Sequence, residues 1–134
     1  NQSKETHRIK LFKSEHPSYA DGMQVRDFIH VKDAVKIIIF FLNNNNFSGL
    51  YNAGTGNVET FKALAEALLI NTKGQPDDIK YIEMPNDLKG KYQYYTQATM
   101  NKINSIGFND NFTNLKEGVT DYLENYLLTS DRYA

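Results

Sequence analysis

Two short segments of the sequence, separated by one helix-like stretch, constrain the fold most strongly. Residues 26–33 are Arg-Asp-Phe-Ile-His-Val-Lys-Asp and run into an apolar stretch, and residues 49–56 are Gly-Leu-Tyr-Asn-Ala-Gly-Thr-Gly. The first pattern predicts a strand over residues 24–31 and then a helix over residues 33–43, because the apolar residues recur with the helical period. The second predicts a buried strand over residues 50–53 that ends in a tight turn. Strands that alternate with helices indicate an α/β arrangement.

The rest of the chain continues this alternation. The sequence predicts these further elements: strands over residues 9–12 and 79–84, a loop over residues 13–23, a helix after Thr60, a helix over residues 97–106 and a last helix from about Thr113. Thr60 is a preferred N-cap residue, and Gly107 suits a left-handed C-cap with Phe108 as its apolar contact. The helix over residues 33–43 has apolar residues on and off its main face, so we expect burial on more than one side. We predict an α/β fold with a small mixed sheet and several helices, as a single domain over residues 1–134.

Composition excludes several classes of function. The formal net charge is -1, so there is no electrostatic basis for binding nucleic acid or an anionic membrane. The longest apolar run, residues 37–42, is far shorter than the roughly 20 residues that span a bilayer. The chain has no Cys, which excludes disulfides, thiolate catalysis and Cys-ligated metals and fits a reducing cytoplasm. His7 and His16 lack the spacing of metal ligands, so we expect no metal site.

A motif in the second half of the chain is more specific. Residues 84–98 are Met-Pro-Asn-Asp-Leu-Lys-Gly-Lys-Tyr-Gln-Tyr-Tyr-Thr-Gln-Ala. This stretch resembles the Pro-x-x-Leu-Lys-Gly-Arg-Tyr-Gln-x-x-Thr-Gln-Ala motif of the ADP-L-glycero-D-manno-heptose 6-epimerases, a family of extended short-chain dehydrogenase/reductases. The Gly-Thr-Gly turn followed by a Phe-containing helix, and the Glu-Gly-Val-Thr-x-Tyr stretch at residues 117–122, are also similar to that family. The resemblance covers about residues 9–127.

The resemblance implies a function. Enzymes of this family epimerise C6 of the heptose in an ADP-sugar and thereby make a precursor of the lipopolysaccharide inner core. It also implies NADP as the resident cofactor, a cytoplasmic location and a homo-oligomeric full-length enzyme.

Two features that such an enzyme needs are missing from the sequence. One is a Gly-rich strand-to-helix turn for the dinucleotide, and the other is a catalytic Tyr with a Lys four residues later. Glu59 stands where the last Gly of the turn would be, and no Tyr has Lys at that spacing. We therefore expect a C-terminal, substrate-binding portion that lacks most of the Rossmann half and of the NADP site and is inactive alone.

The same resemblance implies substrate-binding residues and no catalytic ones. These residues match family positions that contact the nucleotide sugar: Phe12, Lys13, Ser14, Glu15, Arg26 and Tyr92. The Arg26 guanidinium has a fork of donors that matches a diphosphate, and the alternative is a surface Arg paired with Asp27 or another carboxylate. Tyr92 is either a ligand contact or a core tyrosine. Lys91 stands where the family has Arg, and the loop between Phe12 and Arg26 is a few residues longer than in the family.

Other residues are interpreted as structural. His30 has no evident partner, Asp33 suits the start of a helix, and Gly54 and Gly56 suit a tight turn. Lys89 could reach a phosphate or remain solvated. Two other functions stay open, namely another nucleotide-sugar epimerase or dehydratase, and a stand-alone nucleotide-sugar-binding module. A piece of a larger enzyme should also expose apolar surface, so we expect the isolated chain to self-associate or to be marginally stable.

Overall fold

Short strands and helices alternate along the chain in a computed structural model that describes residues 8–129. The strands are β1 (Ile9–Phe12), β2 (Val25–Arg26), β3 (Glu59–Thr60) and β4 (Ile79–Ile82). The α-helices are α1 (Val31–Asn43), α2 (Phe61–Thr72), α3 (Asn101–Asn104) and α4 (Leu115–Tyr122). A 3₁₀ turn covers Pro76–Asp78, and a π-helical turn over Leu123–Leu127 extends α4. The predicted α/β class with little sheet is confirmed.

The strands form two separate pairs rather than one mixed sheet. β1 lies parallel to β4, with Ile9 opposite Ile79 and Phe12 opposite Ile82. β2 lies antiparallel to β3, with Val25 opposite Thr60. Helix α2 follows β3 and leads to β4, so it connects one strand pair to the other. Phe12 at the end of β1 and Arg26 of β2 both contact the Tyr92 ring, which brings the two pairs close together.

Helix α2 begins and ends where local chemistry predicts. The Thr60 hydroxyl oxygen accepts a hydrogen bond from the Ala63 N–H at 2.9 Å, which satisfies one of the free N–H groups at the helix start. At the other end Lys73 takes a left-handed conformation with φ of 56°. The Gly74 N–H donates to the Leu69 carbonyl at 2.9 Å, which closes the last turn.

Replacement of Thr60 by Ala should lower the free energy of unfolding by about 1 kcal/mol, because the Ala63 N–H loses its acceptor. Urea unfolding at low protein concentration measures this difference. Thr60→Ser keeps the hydroxyl and is the matched control, which should unfold near the wild-type midpoint. Equal losses in both variants would show that the hydroxyl does not cap the helix.

The main core packs α1 against the segment around α3. Ile37, Met100, Ile103 and Phe108 form a buried cluster. The predicted cap at Gly107 is confirmed, since its φ is 98° and the Phe108 N–H donates to the Ile103 carbonyl at 3.4 Å. Phe108 is buried, as the apolar contact of such a cap requires.

Two strands and one helix are shorter in the structure than the sequence predicts. The strand over residues 24–31 is reduced to β2, because α1 already begins at Val31. The helix over residues 97–106 is reduced to α3. Residues 97–100 are not helical, and the Ala98 N–H donates to the Asp27 carboxylate. The strand over residues 79–84 ends at Ile82, before Pro85.

The predicted buried strand over residues 50–53 is wrong for the described chain. These residues have no strand conformation, and Leu50 is 87% exposed. A strand needs a neighbour to pair its backbone groups, and no backbone segment between residues 8 and 129 pairs with this stretch. Its Leu50 carbonyl accepts instead from the Lys102 ammonium at 2.7 Å.

Helix α1 is buried on one side only, so the expectation of burial on further sides is wrong within the described residues. Ile37 and Asp33 face inward. Five apolar residues of α1 are exposed, with fractions of 44% to 73%: Val31, Val35, Ile38, Ile39 and Leu42. We call these five residues the α1 apolar face. Tyr122 of α4 is 51% exposed.

Candidate functional site

Arg26 and Tyr92, two of the predicted substrate-binding residues, lie together. The Arg26 guanidinium carbon is 5.4 Å from the Tyr92 ring centre and 5.5 Å from the Phe61 ring centre on α2. Its Nη1 group donates to the Val25 carbonyl at 2.8 Å, and its Nη2 group donates to the Gln93 carbonyl. Stacking and hydrogen bonds together fix the plane of the guanidinium. We call Arg26, Phe61 and Tyr92 the Arg26 clamp.

The segment after β1 reaches the same place. The Phe12 ring meets the Tyr92 ring edge-on, with centres 6.3 Å apart. The Ser14 N–H donates to the Asp21 carboxylate at 2.7 Å, and the Glu15 N–H donates to the Tyr94 hydroxyl at 3.0 Å. The first of these bonds folds the loop over residues 13–23 back on itself, and the second ties the loop to the segment that carries Tyr92.

Two exposed ion pairs flank the clamp. The Lys13 ammonium lies 2.6 Å from the Glu83 carboxylate, and Lys89 pairs with Glu15. The hydrogen bond and charge of Glu83 raise the pKa of Lys13, and Glu15 raises the pKa of Lys89 in the same way. Lys13, Glu15 and Lys89 therefore already have protein partners, and a ligand would have to exchange with them.

Three aromatic residues that the sequence analysis did not select for the site complete this surface. Tyr94 lies with its ring centre 5.1 Å from His16, 5.5 Å from Tyr19 and 5.5 Å from Tyr92. The signal was present in the sequence, because Tyr92 and Tyr94 are two residues apart and fall on one side of an extended segment. Burial raises the pKa of the Tyr92 hydroxyl, although the Arg26 charge opposes this shift. The hydroxyl is therefore protonated at neutral pH and can donate to a ligand.

Asp27 does not pair with Arg26. It is therefore not the carboxylate partner that the alternative interpretation of Arg26 as a surface ion-pair residue would need. Its Oδ1 accepts from the Thr55 N–H at 2.8 Å and from the Thr55 hydroxyl at 2.6 Å. Its Oδ2 accepts from the Gly56 N–H at 2.9 Å and from the Ala98 N–H at 3.0 Å. Burial alone would raise the pKa of Asp27, but these four donors lower it below its ordinary value. Asp27 is therefore a carboxylate that joins two loops.

The Gly-Thr-Gly turn forms a support for Asp27 and does not fit a dinucleotide. Gly56 has φ of 74°, as a tight turn requires, and the turn leads into β3 rather than directly into a helix. A pyrophosphate site needs backbone N–H groups that point at the ligand. Here the N–H groups of Thr55 and Gly56 donate to Asp27. The described residues therefore do not fit the pyrophosphate of a nicotinamide cofactor at this turn.

A polar cleft opens beside this turn. It has a volume of about 530 Å³, and its lining includes Thr55, Glu59, Gln97 and Phe28. Gln97 spans its wall, because its amide donates to the Gly56 carbonyl at 2.6 Å and its oxygen accepts from the Tyr95 hydroxyl at 2.5 Å. The Phe28 ring contacts the Phe61 ring of the clamp with centres 5.6 Å apart. The cleft and the clamp are therefore neighbouring surfaces.

His30 and Asp33 make structural contacts, as the sequence analysis interpreted them. The His30 side chain is 9% exposed and lies 3.3 Å from the Asp121 carboxylate, but neither ring nitrogen makes a hydrogen bond within the described residues. Asp33 is fully buried, accepts from the Thr113 N–H at 2.7 Å and pairs with Lys36 at 2.6 Å. Burial would raise the pKa of Asp33, but Lys36 and Thr113 lower it overall.

Neither a metal centre nor a membrane-spanning helix is found in the part of the chain that the structure describes. Residues 8–129 contain no group of three or more His, Asp or Glu side chains that could hold a metal ion. None of the helices in this range combines the length and apolar character that crossing a membrane requires. His7 lies outside the described residues.

Comparison with known proteins gives a family for part of the chain. Residues 2–54 match the NAD dependent epimerase/dehydratase family. The chain is 44% identical over 138 residues to an ADP-L-glycero-D-manno-heptose-6-epimerase of Fusobacterium nucleatum, covering 99% of the chain and 42% of that protein. It is 45% identical over 123 residues to the enzyme of that name from Nitratidesulfovibrio vulgaris (strain Hildenborough), covering 92% and 38%. The matched residues 2–54 belong to this epimerase/dehydratase family.

The fold of the chain is also similar to that of solved structures. A dTDP-glucose 4,6-dehydratase from Bacillus anthracis, in complex with NAD, has a TM-score of 0.70 at 20% identity and covers 92% of the chain and 35% of that protein. A dTDP-4-dehydrorhamnose reductase from the same organism, in complex with NADP, has a TM-score of 0.62 at 14% identity and covers 92% and 40%. The chain spans about two-fifths of the length of the relatives that it matches.

Proposed function

We propose that this chain is the C-terminal, nucleotide-sugar-binding part of an NADP-dependent ADP-L-glycero-D-manno-heptose 6-epimerase. It contributes no catalytic residue and is inactive by itself. The observation that carries the proposal is the Arg26 clamp, because it holds a cation and a protonated hydroxyl at one point of the surface. The identity of 44% to an enzyme of this name supports the choice of substrate.

The clamp suits the diphosphate of a nucleotide sugar. A guanidinium has five N–H donors, and the two bonds that Arg26 makes go to main-chain carbonyls of Val25 and Gln93. Such bonds leave its charge uncompensated, which favours an anionic ligand at the donors that remain. Tyr92, with its pKa raised by burial, adds a neutral donor beside this charge. Phe12, Lys13, Ser14 and Glu15 would form the side of the site next to β1.

The cofactor and the setting of the enzyme are further parts of the proposal. The family is described as NAD dependent, and its similar structures hold NAD or NADP. We propose NADP, bound mainly by residues outside this chain, since the Gly-Thr-Gly turn does not fit the pyrophosphate. The full-length enzyme would be a cytoplasmic homo-oligomer that supplies a heptose precursor for the lipopolysaccharide inner core.

The full-length protein tests this proposal when it is given NADP and three substrates in parallel: ADP-glycero-manno-heptose, UDP-glucose and dTDP-glucose. Chromatography of the products should show conversion of the ADP-heptose between its C6 epimers and no conversion of the other sugars. The isolated chain should give no turnover. Turnover of only a UDP- or dTDP-sugar would assign another epimerase or dehydratase, and binding without turnover would assign a binding module.

A further inference from the structure

Three consecutive residues of the chain hold one distant segment. The Val25 N–H donates to the Tyr94 carbonyl at 3.0 Å, Arg26 donates to the Gln93 carbonyl, and Asp27 accepts from the Ala98 N–H at 3.0 Å. Both ends of segment 93–98 are thus held by β2 and by Asp27, the residue that follows β2. Tyr92 directly precedes this segment, so the position of its ring depends on where the segment lies.

Asp27 connects this segment to a second loop. Its Oδ2 accepts from Ala98 and also from Gly56, while its Oδ1 accepts twice from Thr55. We infer that Asp27 is a positioning residue for the nucleotide-sugar site, which ties segment 93–98 to the Gly-Thr-Gly turn and keeps Tyr92 on Arg26. This inference rests on the function proposed above for the Arg26 clamp. It gives the Thr-Gln-Ala part of the motif an anchoring role that is distinct from ligand contact.

The geometry requires a carboxylate in this place. Four donors converge on two oxygens, and an Asn side chain would offer one oxygen and one NH₂ group. With the NH₂ group at the Oδ2 position, the Gly56 and Ala98 N–H groups would both face a donor. With the NH₂ group at the Oδ1 position, the Thr55 N–H would face a donor, whereas the Thr55 hydroxyl could accept and donate to the Asn57 carbonyl. Each N–H group that faces a donor loses the stabilisation of its bond. Close packing also limits the turn, because a Cβ on Gly54 would lie 2.7 Å from the Asp27 Oδ2 atom. The close approach of the turn to Asp27 therefore requires glycine at position 54.

Asp27→Asn in the full-length enzyme tests the inference. A displaced Tyr92 would weaken binding of ADP-heptose in ground state and transition state alike, so KM should rise while kcat stays close to wild type. The expected loss in kcat/KM reaches roughly 100-fold, as for other small displacements of a binding group. A purely structural defect would reduce the amount of active enzyme, which lowers kcat without changing KM.

Asp33→Asn is the matched control. Asp33 is also a buried carboxylate that accepts from a backbone N–H, but its partners are Thr113 and Lys36, which lie outside the clamp. This variant should melt at a lower temperature and keep the wild-type KM. Thr55→Val removes only the hydroxyl that donates to Asp27 and serves if Asp27→Asn does not fold; it should raise KM by a smaller factor.

Hydrogen–deuterium exchange gives a readout that does not depend on turnover. In Asp27→Asn, the peptides that contain Thr55, Gly56 or Ala98 should exchange faster overall than in the wild type, because in either amide orientation at least one of these N–H groups loses its acceptor. Three results would overturn the inference. They are an unchanged KM in the Asp27 and Thr55 variants, equal changes in KM in the Asp27 and Asp33 variants, and an unchanged rate of exchange in Asp27→Asn. A wild-type enzyme without ADP-heptose turnover but with the expected exchange would instead contradict the proposed function alone.

Discussion

Replacing Arg26 by Lys in the full-length enzyme should weaken binding of ADP-heptose by about 10- to 100-fold. Lysine keeps the charge but cannot reproduce the two bonds to the Val25 and Gln93 carbonyls or the stacking between Phe61 and Tyr92. A hydrogen bond to a charged group contributes about 1.5–3 kcal/mol, and each 1.4 kcal/mol corresponds to about tenfold in affinity. Isothermal titration with ADP-heptose measures the loss directly.

The same substitution at a second arginine controls for charge and length. Arg8 is exposed just before β1, at the end of the strand away from Phe12, and Arg8→Lys should bind like the wild type. Equal affinities of the two variants would show that Arg26 does not contact the ligand. Tyr92→Phe adds a further distinction, because it keeps the ring against Arg26 and removes only the hydroxyl. It should lose less affinity than Arg26→Lys.

The parts of the fold that the sequence predicts well are those that neighbouring residues determine. The Thr60 cap, the bounds of β1 and the left-handed turn at Gly107 each depend on residues within a few positions. Capping and turn formation are local, so the residue type at one position decides them. The same local information correctly separates the helices from the loops, although it overestimates the length of α3.

The contacts that build the site are distant in sequence, and for this reason the sequence does not predict them. Asp27 bonds to residues 28, 29 and 71 positions away, and the Arg26 bond to Gln93 spans 67 positions. No periodicity or cap indicates such a pairing. The resemblance to the epimerases identified Arg26 and Tyr92 as related residues, and the structure adds how they meet. Their role in ligand binding remains a prediction for the experiments above.

The prediction of a strand over residues 50–53 and the prediction that α1 is buried on more than one side are wrong for the same physical reason. Both segments have the composition of buried structure, but residues 8–129 leave Leu50 and the α1 apolar face exposed, although Tyr51 packs against the core. Apolar composition predicts that a segment becomes buried, but it does not identify the segment that covers it. The relatives of this chain are more than twice its length. We therefore assign the cover of both features to the remainder of the proposed enzyme.

The isolated chain should consequently self-associate through the α1 apolar face, and Ile38→Lys together with Leu42→Lys should make it monomeric. Ile38 is 58% exposed and Leu42 is 73% exposed, and contiguous exposed apolar surface of this kind promotes association. Sedimentation velocity over a range of concentrations measures the effect. Ile70→Lys is the control for Ile38→Lys, since Ile70 is 63% exposed on α2, away from this face. It should leave association unchanged.

The same two substitutions should have the opposite effect in the full-length enzyme. If the remainder of the enzyme covers the α1 apolar face, the two introduced ammonium groups would have to be buried without partners. The Ile38→Lys and Leu42→Lys changes should then cost on the order of several kcal/mol. The full-length double variant should therefore melt well below the wild type, while the isolated double variant becomes more soluble. A monomeric wild-type chain with a concentration-independent melt would contradict the first expectation. An unchanged full-length melt would show that the face is solvent-exposed in the enzyme.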